Sequence, residues 1–201
     1  LETRSALFGR LDWAPEDRRV VSVTAKVYAE DRFGGVAGWT EADRGTDAAY
    51  GEWILTDRAE LLVSASPVPS LRADVSLTRH RQDSWYGTSR FEAEQDIAYG
   101  LVTWSGGVAP GHDLLLGASA RWERYDDGTP ATPTAVRRIV PGVLAQHEAR
   151  LRSPVTLLWG LRLDHHADHG LIAAPRGSLR WEAGHHTTVR VNAGTGFRVV
   201  N

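Results

Sequence analysis

The chain has 201 residues, with 23 Lys and Arg against 25 Asp and Glu, for a net charge of -2. It therefore lacks the basic field that recruits nucleic acid. It has no cysteine, which excludes disulfides and thiolate chemistry within it. It also has no run of about 18 apolar residues, as a transmembrane helix requires. A transmembrane strand needs no such run, because only alternate side chains meet lipid.

Taken in chain order, the dominant signal is period-two alternation. In Arg18–Glu30 the odd positions Val21, Val23, Ala25, Val27 and Ala29 are apolar, and the even positions are mostly polar. Leu71, Ala73, Val75 and Leu77 alternate with Arg72, Asp74, Ser76 and Thr78. Val155, Leu157, Trp159, Leu161 and Leu163 alternate with Thr156, Leu158, Gly160, Arg162 and Asp164. The segment Gln95–Ser105 alternates too poorly to assign faces. About ten strands follow, over 3–13, 18–30, 50–66, 71–84, 91–105, 113–125, 137–152, 155–166, 171–182 and 187–199. In the last, Val189, Val191 and Phe197 are expected on the apolar side and Arg190, Asn192 and Arg198 on the polar side. No segment repeats apolar residues at helical spacing over three turns, and 20 glycines and 9 prolines are spread throughout. The first residues, Leu1-Glu2-Thr3-Arg4, are already strand-like, and there is no methionine and no secretory leader pattern. The sequence thus reads as a stretch from within a longer protein.

The connections fall into two kinds. Ala14-Pro15-Glu16-Asp17, Pro67-Val68-Pro69-Ser70, Pro110-Gly111-His112, Ser153-Pro154 and Ala183-Gly184-His185 are tight and turn-forming. Asp31–Ala49, Trp85–Arg90, Asp126–Val136 and Ala167–Gly170 are expected as the longer loops. Short turns at one end and longer loops at the other are the mark of an outer-membrane barrel. A soluble sandwich or barrel carries the same alternation with its faces reversed. Strand length favours the membrane, since soluble strands are most often about 5–6 residues. Trp13, Trp104, Trp122 and Trp181 near strand ends fit interfacial girdles.

Particular segments narrow the class. Asp31-Arg32-Phe33-Gly34-Gly35, Tyr50-Gly51-Glu52, Gln95-Asp96-Ile97-Ala98-Tyr99-Gly100, His112-Asp113-Leu114-Leu115-Leu116-Gly117 and Tyr125-Asp126-Asp127-Gly128-Thr129-Pro130-Ala131-Thr132 resemble successive barrel segments of TonB-dependent outer-membrane receptors, especially those of Bacteroidetes type. Leu157–Asp164, followed by the hairpin from Pro175 to Gly194-Thr195-Gly196-Phe197-Arg198-Val199-Val200-Asn201, is similar to that family's commonest barrel signature. The resemblance implies an all-β, antiparallel, up-and-down transmembrane barrel, of which residues 1–201 are a central part of about ten strands from a normal 22. It also implies an importer of iron chelates, cobalamin or similar nutrients in the bacterial outer membrane. The expected partners are a plug domain, the remaining strands, lipid, and a periplasmic energising complex reached through the plug. This chain lacks the plug and the closing strands, so no transport is expected of it alone. Its open strand edges invite self-association.

The candidate residues follow from that frame. Arg72, Asp74, Arg162, Asp164, Arg176, Arg180 and Arg190, together with Lys26, Glu30 and Glu182, are expected to line the lumen. There they either guide an anion or dock the plug through guanidinium forks, or simply form cross-strand ion pairs. Phe33, Trp39, Trp85, Tyr86, Tyr125 and Asp126 are expected at extracellular loops as ligand contacts; Phe33 has the alternative of packing its own loop. His165, His166 and His169 suggest a metal, but adjacent strand residues point to opposite faces, and no metal site or cofactor is expected. Asp126-Asp127-Gly128 reads as a turn rather than a calcium loop. No nucleophile elbow, phosphate loop or zinc-protease motif appears, so the chain is not expected to be an enzyme. An adhesin or enzyme of barrel form, and a soluble all-β binding module, are the alternatives.

Overall fold

A computed structural model describes residues 1–16, 19–130, 133–152, 154–184 and 186–197. Ten strands run in sequence order: β1 (Glu2–Glu16), β2 (Arg19–Gly35), β3 (Gly51–Val68), β4 (Leu71–Tyr86), β5 (Ser89–Ala109), β6 (His112–Asp126), β7 (Val136–Arg152), β8 (Val155–His166), β9 (Gly170–Gly184) and β10 (Thr187–Gly194). Each pairs antiparallel with its chain neighbours in a single sheet. Among the described residues β1 and β10 are paired on one side only. Nearly all exceed the roughly 9–11 residues that cross a bilayer at a tilt; β5 has 21.

The register turns local alternation into two continuous faces. Ala25, Leu61, Leu77, Ala98, Trp122 and Ile139 form one cross-strand row on the apolar face. Asp12, Ser22, Ser64, Asp74, Leu101, Ser119, Gly142 and Asp164 form one on the polar face. The poorly patterned β5 thereby acquires its faces: Gly100, Val102 and Trp104 are apolar-side, while Gln95, Tyr99 and Thr103 are polar-side.

The usual arrangement of a water-soluble protein is reversed here. Leu11 is 69% and Trp159 60% exposed, while the fully buried side chains are Asp164 and Ser84. Apart from the 36–50 connection, which folds over its end at Phe33, Trp53 and Trp85, no described element covers the apolar face. All seven strand tryptophans, namely Trp13, Trp53, Trp85, Trp104, Trp122, Trp159 and Trp181, lie on it. One row beyond Trp122 the same face becomes charged, with Arg79, Asp96, Arg124 and Arg137 in register. Arg79 pairs with Asp96 at 2.7 Å and Arg124 with Glu94 at 3.1 Å. An apolar band edged by tryptophan and then by ion pairs is the profile of a lipid-facing surface.

Register shifts occur at Trp13/Glu16, Ala65/Val68, Gly107/Ala109, Arg150/Arg152 and Thr187/Thr188. All lie beside the short turns, where bulges tighten the strand twist at a barrel rim. At the other end, two expectations need correction. The Trp85–Arg90 loop is in fact a tight turn at Gly87-Thr88, because Gly87 adopts φ of 58° and lets β4 and β5 run on to Tyr86 and Ser89. β10 ends at Gly194 rather than continuing, and Arg198–Asn201 lie outside the described residues.

Candidate functional site

A residue two places along a strand returns to the same face. That spacing builds the polar face of this sheet. Arg10 donates to Asp12 at 2.9 and 3.0 Å, Arg72 to Asp74 at 2.9 and 2.9 Å, and Arg162 to Asp164 at 2.7 and 2.7 Å. All three are bidentate forks from Nε and Nη2. Each also has a serine on the same cross-strand row: Ser22 donates to Asp12, Ser64 donates to Asp74 at 2.5 Å, and Ser119 accepts from Arg162 at 3.0 Å. Arg58 with Glu60, Arg121 with Glu123 and Arg180 with Glu182 repeat the in-strand spacing at 2.5, 3.3 and 2.6 Å.

The polar side chains named from the sequence, Arg72, Asp74, Arg162, Asp164, Arg176, Arg180 and Arg190, all share this face. Their ion pairs run along strands rather than across them. Arg176 donates to Gln146 Oε1, and Arg190 lies opposite Arg180. Glu30 accepts from Arg4 and from the Tyr28 hydroxyl rather than pairing with Lys26. Arg10, Ser22, Ser64 and Ser119 were not singled out by sequence reasoning. The Arg-x-Asp spacing, present five times in the sequence and three times on this face, was the available signal.

The fork on β8 is the most enclosed. Asp164 is 1% exposed, and a β-carbon on Gly142 of β7 would collide with its Oδ1. Gly142 thus lets the carboxylate lie flat against the neighbouring strand. Beside it a cavity of about 710 Å³ opens on the polar face. Arg121, Arg138, Arg162 and His166 bring cations or donors to its wall, and Glu123 and Asp164 bring carboxylates. Glu123 accepts from Gln95 at 2.5 Å. His166 is 3% exposed, and its Nδ1 accepts the backbone N–H of Asp168 at 3.2 Å. That bond leaves Nε2–H as the group His166 can offer to the cavity. His165 points away and is exposed, while the His166 and His169 rings lie 4.8 Å apart. No cluster of three or more potential metal ligands occurs among the described residues. Phe197, expected on the apolar side, instead lines this cavity; the strand stops three residues before it.

The residues expected at loops are not brought into one place. Of the six, only Trp39 stands outside a strand. Phe33, Trp85 and Asp126 project on the apolar side, and Tyr86 and Tyr125 on the polar side. Trp39 packs 5.7 Å from Phe33 and over Gly35 and Gly51. Arg44 stacks 3.9 Å above Trp53, and Gly45 sits against Trp85. The 36–50 connection is therefore folded back onto an aromatic row of β2–β4. Tyr50, in the same connection, donates to Glu52 at 2.8 Å, and that bond raises its phenol pKa. Asp126 accepts from Gly128 N–H at 3.3 Å and pairs with Arg124 at 3.4 Å, as a turn residue does.

Comparison with solved structures returns the same sheet. The siderophore receptor PirA from Pseudomonas aeruginosa aligns with a TM-score of 0.70 at 15% identity, over 100% of this chain and 34% of that one. A ferric enterobactin receptor (PfeA) mutant from Pseudomonas aeruginosa gives 0.66 at 12%, over 96% and 33%. The alcaligin outer membrane receptor FauA from Bordetella pertussis gives 0.64 at 14%, over 95% and 35%. This chain thus spans about a third of the structures it matches, and the likeness establishes the fold. A sequence comparison with curated proteins finds no match. The family model described as TonB dependent receptor-like, beta-barrel matches residues 3–200, and the chain belongs to that family.

Proposed function

We propose that this chain is part of the barrel wall of an outer-membrane receptor that binds and imports a scarce nutrient of the iron-chelate kind. One observation carries the reading. A single register holds an exposed apolar face on one side and an ion-paired polar face on the other. The apolar face meets lipid, and the polar face lines the lumen, with Arg72, Asp74, Arg162, Asp164, Arg176, Arg180 and Arg190 on it. Tyr86 and Tyr125, at the longer-loop end of that face, are the aromatic ligand contacts; Phe33, Trp39 and Trp85 hold the 36–50 connection. Transport belongs to the complete receptor, whose plug and energising partner act beyond this stretch. The siderophore receptors among its structural neighbours support the iron-chelate class, and the segments quoted above support kinship with receptors of Bacteroidetes type.

The full-length protein containing this chain tests the proposal. It should fractionate with the outer membrane, migrate as a heat-modifiable barrel, and bind at least one ferric chelate from a panel of differing charge. Recovery only in the soluble fraction, or a complete reading frame without a plug, would overturn it.

A further inference from the structure

On β5, β6 and β7 the apolar face is closed toward the loops by the row of Asp96, Arg124 and Arg137. From that row down to the row of His112, the described residues facing this side are Ala, Val, Leu, Ile, Gly, Pro and Trp, with two exceptions, His112 and His147. His147 follows Arg137 by ten residues on β7. At about 3.3 Å per residue and a tilt of about 40°, that stretch descends about 25 Å, the height of a barrel's lipid-facing band. His112 is the first residue of β6 after the Pro110-Gly111 turn. The pair thus stands where the band ends on the short-turn side, which is periplasmic in such barrels. Trp159, in register with His147 and edge-on to its ring at 5.5 Å, marks the same depth, since interfacial indoles sit at the level of lipid headgroups.

The two rings form one unit. His112 Nδ1 and His147 Nε2 lie 3.1 Å apart, the ring planes differ by 8° and the centroids are 5.2 Å apart. Both nitrogens therefore stand between the rings, which meet edge to edge through an N–H···N hydrogen bond. A neutral imidazole carries one N–H. His147 Nδ1 is buried with no partner, and a proton on it would be an orphaned buried N–H, which folded proteins avoid most strictly. His147 accordingly donates from Nε2 to His112 Nδ1, and His112 keeps its own proton on Nε2, free for an outside acceptor. We infer that His112, His147 and Trp159 form a site for the phosphate of a phospholipid in the periplasmic leaflet. His112 Nε2–H donates to a phosphate oxygen, and His147 fixes the tautomer and orientation of that ring. Trp159 adds an indole N–H that no described residue accepts. The occupant is a lipid rather than a free phosphate ion, because no described cation of β5–β7 faces this stretch, while Leu114, Ala149 and Leu157 beside the pair suit acyl chains. The inference rests on the lipid-facing assignment of the receptor reading and adds to it a binding site on the outer wall.

The test uses the purified full-length receptor in detergent, with phosphatidylglycerol as the probe and diacylglycerol of the same chains as the phosphate-free comparison. Native mass spectrometry counts the lipids retained as each is titrated in. Wild type should hold one more phosphatidylglycerol than His112→Phe, which keeps a ring and removes the donor, and His147→Phe should weaken that last lipid severalfold. Retention of diacylglycerol and heat-modifiable migration should be the same in all three. His165→Phe, on the same face beside the β8–β9 loop, should match wild type, and inorganic phosphate should not compete. Imidazole ¹⁵N spectra of wild type need no variant: His112 should be the Nε2–H tautomer, and its signal should move with phosphatidylglycerol and not with diacylglycerol. Equal phosphatidylglycerol counts in wild type and His112→Phe, competition by inorganic phosphate, or a proton on His112 Nδ1 would overturn the site while leaving the receptor reading intact. A protein that holds neither lipid and stays soluble without detergent would count against both.

Discussion

The Asp164 carboxylate is buried with almost no solvent contact, a placement that is costly for a charge unless its partners are complete. Arg162 supplies two of its bonds, and the close approach to Gly142 leaves no space for water on that side. Removing the carboxylate strands the guanidinium against Ser119 and the cavity wall. Asp164→Ala should therefore cost about 3–5 kcal/mol, whereas Asp12→Ala, in the same fork on an exposed strand, should leave the thermal midpoint almost unchanged. Gly142→Ala should cost about 1–3 kcal/mol through the forced shift of Asp164; Gly100→Ala, with open space around it, should not. Thermal unfolding of the full-length receptor in detergent checks both pairs. The fork itself was legible in the sequence, because two-residue spacing places Arg162 and Asp164 on one face. The glycine was not, since its contact crosses from β7 to β8, and pairing across strands cannot be read from one segment alone.

At the level of elements, alternation locates the strands but not their ends. The strand cores found by pattern are those in the structure, yet β4, β5 and β6 run on through residues whose composition reads as loop. Trp85 and Tyr86 look like loop aromatics because they flank Gly87, but that glycine's positive φ makes a turn so short that both remain in the ladder. The 36–50 connection was legible as a loop, while its attachment was not. Trp39 settles on two glycines, Gly35 and Gly51, that come from different strands. The loop's order thus depends on missing side chains as much as on present ones. Gly51→Val would push the Trp39 indole out of its seat and release the connection. Limited proteolysis of intact cells should then cut within residues 36–50 markedly faster than in wild type. Gly34→Val, where a side chain meets nothing, should leave the cleavage rate unchanged. Equal cleavage of both variants would mean that the loop is held elsewhere.

For the whole molecule, the decisive property is which face meets which medium, and period two fixes only that the faces differ. The same alternation describes a soluble barrel whose apolar side is its core. The open sheet separates the two cases: its apolar side is largely uncovered, tryptophan-bordered and bounded by ion pairs, while its fully buried side chains, Asp164 and Ser84, are polar. A lipid-facing position must then tolerate charge far less than its strand neighbour facing inward. Val75 lies in the row Val23, Val63, Val75, Gly100, Ala120 and Pro141, near the middle of the apolar band. Ser76, the next residue, lies on the polar face between Leu62 and Tyr99. Val75→Arg should destabilise the full-length receptor by about 2–4 kcal/mol, the penalty for arginine at mid-bilayer on a barrel's outer surface. Ser76→Arg should cost much less, because its guanidinium stays within reach of water and carboxylates. Denaturant unfolding in phospholipid vesicles measures the difference directly. If the two variants were equally stable, or Ser76→Arg the worse, then the apolar face would be packed against protein rather than lipid, and the assignment of inside and outside would have to be exchanged.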